Sequence, residues 1–129
     1  MKVLAIDPGK EKCGVAVVDA YRVIYKEVVN KSEYIGIIKE LSDNHGVNEI
    51  VLGDGTGSIE FFEEISKELP QLKVNLVDES HSTEEARRRY WIENPPKGLR
   101  RFAPTSMQVP PEPYDEYVAV ILAERYLLK

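Results

Sequence analysis

Four carboxylates in this chain stand where chemistry is often done, at the ends of elements rather than within them. Asp7 closes the apolar run Val3-Leu4-Ala5-Ile6 and is followed at once by Pro8-Gly9. Asp54 lies inside Gly53-Asp54-Gly55-Thr56-Gly57, Glu79 follows the run Lys73–Val77, and Asp115 heads the last apolar stretch. A strand ending in an exposed carboxylate, a glycine turn and a return strand is how several phosphoryl-transfer folds present a first metal ligand. The competing reading of Asp7 and Asp54 is turn chemistry, because Asp-Pro-Gly and Gly-Asp-Gly are ordinary turn formers. Asp115 is harder to dismiss. It shares a helical face with Val118, Ala119 and Leu122, at spacings i, i+3, i+4 and i+7. An acid on a buried stripe must be met by a cation or lose its charge.

The elements that must position these acids follow from periodicity. Residues 2–6 and 13–19 read as an antiparallel strand pair, and a third strand spans about 22–29. A helix is expected over 33–43, with Ser32 as its N-cap and His45-Gly46 as its end. Glu49–Leu52 is a short strand, and Ile59, Phe62, Ile65 and Leu69 mark a helix stopped by Pro70. Lys73–Val77 is a fifth strand. Ser82-Thr83-Glu84-Glu85 reads as a capping box opening a helix to about Trp91. Residues 93–113 hold six of the eight prolines and read as irregular, and Tyr114–Leu128 is an amphipathic helix. Three strands joined by tight turns, then strands alternating with helices, predict an α/β domain: a mixed five-stranded sheet of order 3-2-1-4-5, flanked by helices. Right-handed crossovers set strands four and five parallel to strand one. Asp7, Asp54 and Glu79 then share the carboxyl edge, where open α/β folds bind ligands.

Composition narrows the classes. At 129 residues, 43% hydrophobic and 30% charged, the chain is expected to be a single soluble domain over residues 1–129. No apolar run approaches the ~20 residues of a membrane span, and Met1-Lys2 leads into a strand with no room for a leader. The single Cys13 cannot form an internal disulfide, which fits a reducing cytoplasm. No nearby His or basic pair marks it as a catalytic thiol. The net charge of −5 is uneven. Residues 87–101 carry Arg87, Arg88, Arg89, Lys97, Arg100 and Arg101 against Glu93 alone, a local +5. The remaining 11 basic and 21 acidic residues sum to −10. Such asymmetry fits an acidic protein that handles a polyanion, or else a solvated helix face and a basic loop.

Three blocks together carry a family resemblance. Ala5-Ile6-Asp7-Pro8-Gly9-Lys10 with Gly14-Val15-Ala16-Val17 resembles the opening strand pair of the YqgF (RuvX) family, members of the ribonuclease H-like superfamily. Val77-Asp78-Glu79-Ser80-His81-Ser82-Thr83-Glu84-Glu85-Ala86 is similar to its Asp-Glu-Arg-x-Ser-Thr-x-x-Ala motif. Asp115 with Ala119-Val120-Ile121-Leu122 resembles its final Asp-x-x-Ala-Ala-x-Ile-Leu helix. Two departures stand out. Gly53-Asp54-Gly55-Thr56-Gly57-Ser58 replaces the family's Gly-Leu-Pro-x-Asn loop and looks more like a stretch of the YqgF-like domain in Tex transcription accessory proteins. Ser80 stands where the motif has Arg.

The resemblance implies a ribonuclease H-like fold and two-metal phosphodiester hydrolysis, with Asp7, Glu79 and Asp115 as the catalytic acids. It also implies a role in maturing the 16S ribosomal RNA precursor or in resolving Holliday junctions. Mg²⁺ or Mn²⁺ suits such oxygen ligands. Asp7 would bridge two ions, Glu79 and Asp115 would hold one each, and Asp54 is a candidate fourth ligand. The partner would be RNA or branched DNA, held through Lys10, Arg87, Arg88, Lys97, Arg100 and Arg101. His81 is a candidate aid to the leaving group or a plain surface histidine, and Trp91 is read as core. The rivals are a catalytically silent binding module, favoured by the missing Arg, and an actin-like nucleotide site, which needs two such domains.

Overall fold

The computed structural model describes residues 2–20, 22–55, 57–80, 82–94 and 115–127. Strands β1 (Lys2–Asp7), β2 (Lys12–Asp19) and β3 (Arg22–Asn30) are followed by helix α1 (Tyr34–His45), β4 (Glu49–Gly53) and α2 (Ser58–Glu68). Then come β5 (Lys73–Val77), α3 (Ser82–Glu93) and α4 (Asp115–Leu127). The five strands form one sheet in the order β3-β2-β1-β4-β5. β1 pairs antiparallel with β2 and parallel with β4, and β5 runs parallel to β4. The expected mixed sheet is thus the one observed, with β1 central.

The apolar residues of the central strands split between two cores by simple alternation. Leu4, Ile6, Val15, Val17, Ile50 and Leu52 pack beneath α1 and α2. Val3, Ala5, Ala16, Val18 and Val51 face α3 and α4. Ala5 and Ala16 pair with one another, and α4 meets this low ground with Ala119 and Ala123, which lets the helix lie close over β1 and β2. At roughly 1.5–3 kcal/mol for each large apolar side chain fully buried, Val118 and Leu122 anchor α4 to the sheet. The expectation of an amphipathic last helix needs correction. Tyr117 to Ala123 are all buried, because the sheet lies below α4 and α3 lies alongside it.

Two local readings also change. The N-cap of α1 is Glu33, not Ser32, and its side chain makes no capping hydrogen bond. The end is as expected: Gly46 takes φ 65°, the left-handed conformation that releases the chain, and Val47 N–H returns to Ser42 C=O at 3.0 Å. In α2 the buried face is Ser58, Phe61 and Ile65, while Ile59 is 72% exposed and Phe62 half-exposed. With two adjacent phenylalanines, either apolar stripe was open to the helix, and Phe61 wins because its ring packs on Tyr34 at 4.7 Å.

Candidate active site

Asp7 is the last residue of β1 and is half-buried. Alternation from Val3 and Ala5 directs it to the α3/α4 side. On β2 it pairs with Gly14. On β4, Gly53 follows Leu52, the partner of Ile6, so Gly53 lies beside Asp7 at the spacing of neighbouring strands, about 5 Å. The acid stands between two glycines, in a notch with no side chain on either flank.

Glu79 reaches into that notch from the end of β5. A Cβ placed on Gly53 would lie 2.3 Å from Glu79 Oε2 and 3.0 Å from Leu122 Cδ1. One placed on Gly55 would lie 1.4 Å from Glu79 Oε1. The two glycines therefore form a cradle that only Gly can form, with the methyls of α4 as its roof. Oε2 is shielded from solvent and has no hydrogen-bond partner among the described residues. Desolvation, then the charge of Asp54 and more weakly that of Asp78, pushes the Glu79 carboxyl above its ordinary range, while the Gly55 backbone N–H opposes the shift. An orphaned carboxylate oxygen in a negative environment fits a cation.

The turn around this cradle is closely bonded. Asp54 N–H donates to Val77 C=O at 3.0 Å, and Glu79 N–H donates to Asp54 Oδ1 at 3.2 Å. Ser80 N–H donates to Asp78 Oδ1 at 2.9 Å. Arg125, which sequence reasoning missed, reaches over from α4: Nη1 donates to Asp78 C=O and Nη2 to Glu85, both at 2.9 Å. A contact spanning 47 residues carries no local signal.

Asp7, Glu79 and Asp54 are thus brought to one edge. Asp115 opens α4 two turns before Leu122, and its side chain lies outside the described residues, as does His81. Among the described residues no three Asp, Glu, His or Cys side chains are grouped closely enough to hold a metal ion. The basic candidates divide. Lys10 and Arg88 are exposed, Arg87 is half-buried, and Lys97, Arg100 and Arg101 lie outside the described residues. Arg89 is bound to Glu124 at 2.5 Å, a structural link between α3 and α4. Trp91 is buried edge-on against Tyr90, so it is core as expected, and Cys13 is wholly buried. The concavity lined by Lys31, Tyr34, Glu60 and Phe61 opens between α1 and α2, across the sheet from these acids.

The profile of the RuvX family, described as Holliday junction resolvase, matches residues 1–129. The chain belongs to the RuvX family. A protein of Dictyoglomus turgidum named "Putative pre-16S rRNA nuclease" is 33% identical over 103 residues, covering 68% of this chain and 73% of that one. A protein of the same name from Dictyoglomus thermophilum is 30% identical over 101 residues, covering 67% and 73%. Among solved structures, RuvC of Thermus thermophilus superposes with a TM-score of 0.57 at 16% identity, covering 97% of this chain and 92% of that one. The same protein in complex with a Holliday junction substrate gives 0.53 at 17% identity, covering 97% and 91%. These likenesses establish a shared RuvC-like fold. Within this RuvX-family frame the cradle sits at the carboxyl edge, where β1, β4 and β5 end together. No helix among the described residues is long and apolar enough to cross a membrane.

Proposed function

We propose that this chain is a nuclease that hydrolyses phosphodiester bonds of structured RNA in ribosomal RNA precursor processing, with a divalent cation, Mg²⁺ or Mn²⁺, held by Asp7, Glu79 and Asp115. The observation that carries the proposal is Glu79 Oε2, shielded and without a hydrogen-bond partner among the described residues, in a glycine cradle beside Asp7. Membership of the RuvX family and the names of the Dictyoglomus relatives support the nuclease activity and the RNA substrate. When bound, the cation polarises the phosphoryl group and lowers the pKa of water to make a nucleophile.

The chain's own residues supply the rest. Asp7 at the end of β1 and Glu79 just past β5, with β4 between those strands, would supply two of the ligands, and Asp115, whose side chain lies outside the described residues, is the third we assign. Leu122 and the packed α4 roof exclude bulk water from one side of Glu79, which strengthens every charge interaction there. Lys10 and Arg88, both exposed, are assigned to phosphates, together with Arg87 and with Lys97, Arg100 and Arg101, which lie outside the described residues. Ser80 stands where the motif has Arg, and the Arg125 guanidinium near the cradle is engaged by Asp78 C=O and Glu85, so phosphate binding is assigned to the basic residues above. The setting is cytoplasmic.

The family description favours a second substrate, branched DNA. One experiment decides between the two: Mn²⁺-dependent cleavage of an extended 16S precursor RNA and of a four-way DNA junction, with Asp7→Asn as control. Selective RNA cleavage that is lost in the variant supports the proposal. Selective junction cleavage transfers the substrate to DNA. Tight binding of either with no cleavage in any divalent metal returns the chain to a silent binding module.

A further inference from the structure

We infer that Asp54 is a positioning residue rather than a metal ligand: the Gly53-Asp54-Gly55 turn is a clasp that holds the Glu79 carboxylate open toward a cation. This deepens the metal-site reading above and rests on it. Asp54 grips the end of β5 twice, through its backbone N–H to Val77 C=O at 3.0 Å and through Oδ1, which accepts Glu79 N–H at 3.2 Å. Those bonds bracket Asp78. With Asp78 C=O held by Arg125 at 2.9 Å, the backbone that carries Glu79 is fixed on both sides. The flanking glycines do the complementary work, since a Cβ at either would occupy space within 2.3 Å of a Glu79 oxygen. One residue fixes where Glu79 starts; its two neighbours fix where the carboxylate can lie. Asp54 itself is exposed, whereas Glu79 is half-buried with an oxygen to spare.

A ligand acts through its charge, but a clasp needs only an acceptor lone pair. Asp54→Asn keeps the acceptor and removes the charge, so it separates the two roles; Asp54→Ala removes both. Gly55→Ala tests the cradle, because the intruding Cβ meets the far end of a flexible side chain and expels it while the fold survives.

The experiment uses the full chain with two readouts. The first is the Glu79 backbone amide in ¹⁵N-correlated NMR spectra of metal-free protein, and the second is Mn²⁺ affinity by calorimetry. We expect Asp54→Asn to keep the amide shift and to hold Mn²⁺ affinity within about threefold. Asp54→Ala should move the amide and weaken Mn²⁺ by about tenfold or more, the usual cost of losing a group that orients a ligand. Gly55→Ala should lose Mn²⁺ at least as far. Asp54→Asn losing as much affinity as Asp54→Ala would make Asp54 a ligand and overturn the inference. An unmoved Glu79 amide in Asp54→Ala overturns it too. If the unsubstituted chain binds no Mn²⁺, the metal reading fails by itself, and the metal-free amide shift still decides the clasp.

Discussion

Glu64 and Glu79 lie on opposite sides of the sheet, and the chain treats them oppositely. Glu64, on α2, accepts a hydrogen bond from Tyr34 Oη, whose ring is buried against Phe61. Burial, then Glu64, lifts the Tyr34 phenol above its ordinary range, so it stays a neutral donor at any working pH. Nearby, Lys31 pairs with Glu60 at 3.5 Å. Glu79 is deeper, is cornered by Asp54 and Asp78, and has an oxygen with no donor among the described residues. Burying a carboxylate oxygen without a donor is costly. A fold that supplies donors on one side and withholds one on the other has reserved that oxygen. On the proposed reading, the α1/α2 side serves stability and the carboxyl edge on the α3/α4 side serves a cation.

The harshest way to break that comparison is Asp7→Asn. The amide keeps the shape beside Gly14 and Gly53 but loses the ligand charge. Removing several kcal/mol of transition-state stabilisation, at about 1.4 kcal/mol per tenfold, should cut metal-dependent cleavage by at least ~10²-fold. The melting temperature without metal should barely move. Cleavage within a few-fold of the unsubstituted rate would remove Asp7 from the chemistry.

The comparison also predicts where a polyanion lands. Each phosphate neutralised on a single strand contributes roughly −0.7 to the salt slope of binding. Arg100 and Arg101 replaced together by Ala should flatten that slope by about one to one and a half units, an affinity loss of the order of tenfold. Lys31 and Lys67 replaced together by Ala, on the α1/α2 side, should leave it unchanged. Equal effects from the two pairs would remove Arg100 and Arg101 from any special role in binding.

Much of this was legible in the sequence because it depends on order and period. Antiparallel turns followed by crossovers force β1 between β2 and β4, and three acids at strand ends then fall on one edge. What the sequence hid is what depends on distant partners. Gly53 and Gly55 read as turn residues, and only the approach of Glu79 from another strand shows that they are a cradle. Arg125 drew no reading from the sequence, because its partners Asp78 and Glu85 lie 47 and 40 residues away. Arg89 counted toward the basic run, yet Glu124 claims it. The exposed Ile59 and Phe62 stripe was as regular as the buried one, and tertiary packing chose between them.

On the stability side, Tyr34→Phe should cost about 1 kcal/mol, the net value of a hydrogen bond to a charged group with solvent within reach. For a chain of this size that is roughly a 3–5 °C drop in Tm. Cleavage and Mn²⁺ affinity should be untouched, because the bond lies across the sheet from the acids. A loss of Mn²⁺ affinity in this variant would mean that the two sides are coupled.

The smallest effect is also the sharpest contrast, because its sign is unusual for removal of a carboxylate. Glu79→Gln in metal-free protein should stabilise the fold at pH 7–8 by a few tenths of a kcal/mol, about 1–2 °C in Tm, after discounting a half-buried charge for solvent screening. The folded-state pKa of Glu79 is raised, by desolvation first and then by the charges of Asp54 and Asp78. A raised carboxyl favours the folded state only while protonated. That contribution is complete below the unfolded value, about 4.3, and fades as pH climbs through the folded value. The variant and the unsubstituted chain should therefore converge near pH 4 and separate toward neutrality, with the variant on top. Saturating Mn²⁺ should invert the order, since binding to the folded state adds stability only where the carboxylate remains to hold it. Thermal melts of both proteins across pH, in chelator and in Mn²⁺, give all four curves. A destabilised variant in chelator at pH 7.5 would show that the Glu79 oxygen already has the donor it needs, and its contrast with Glu64 would disappear.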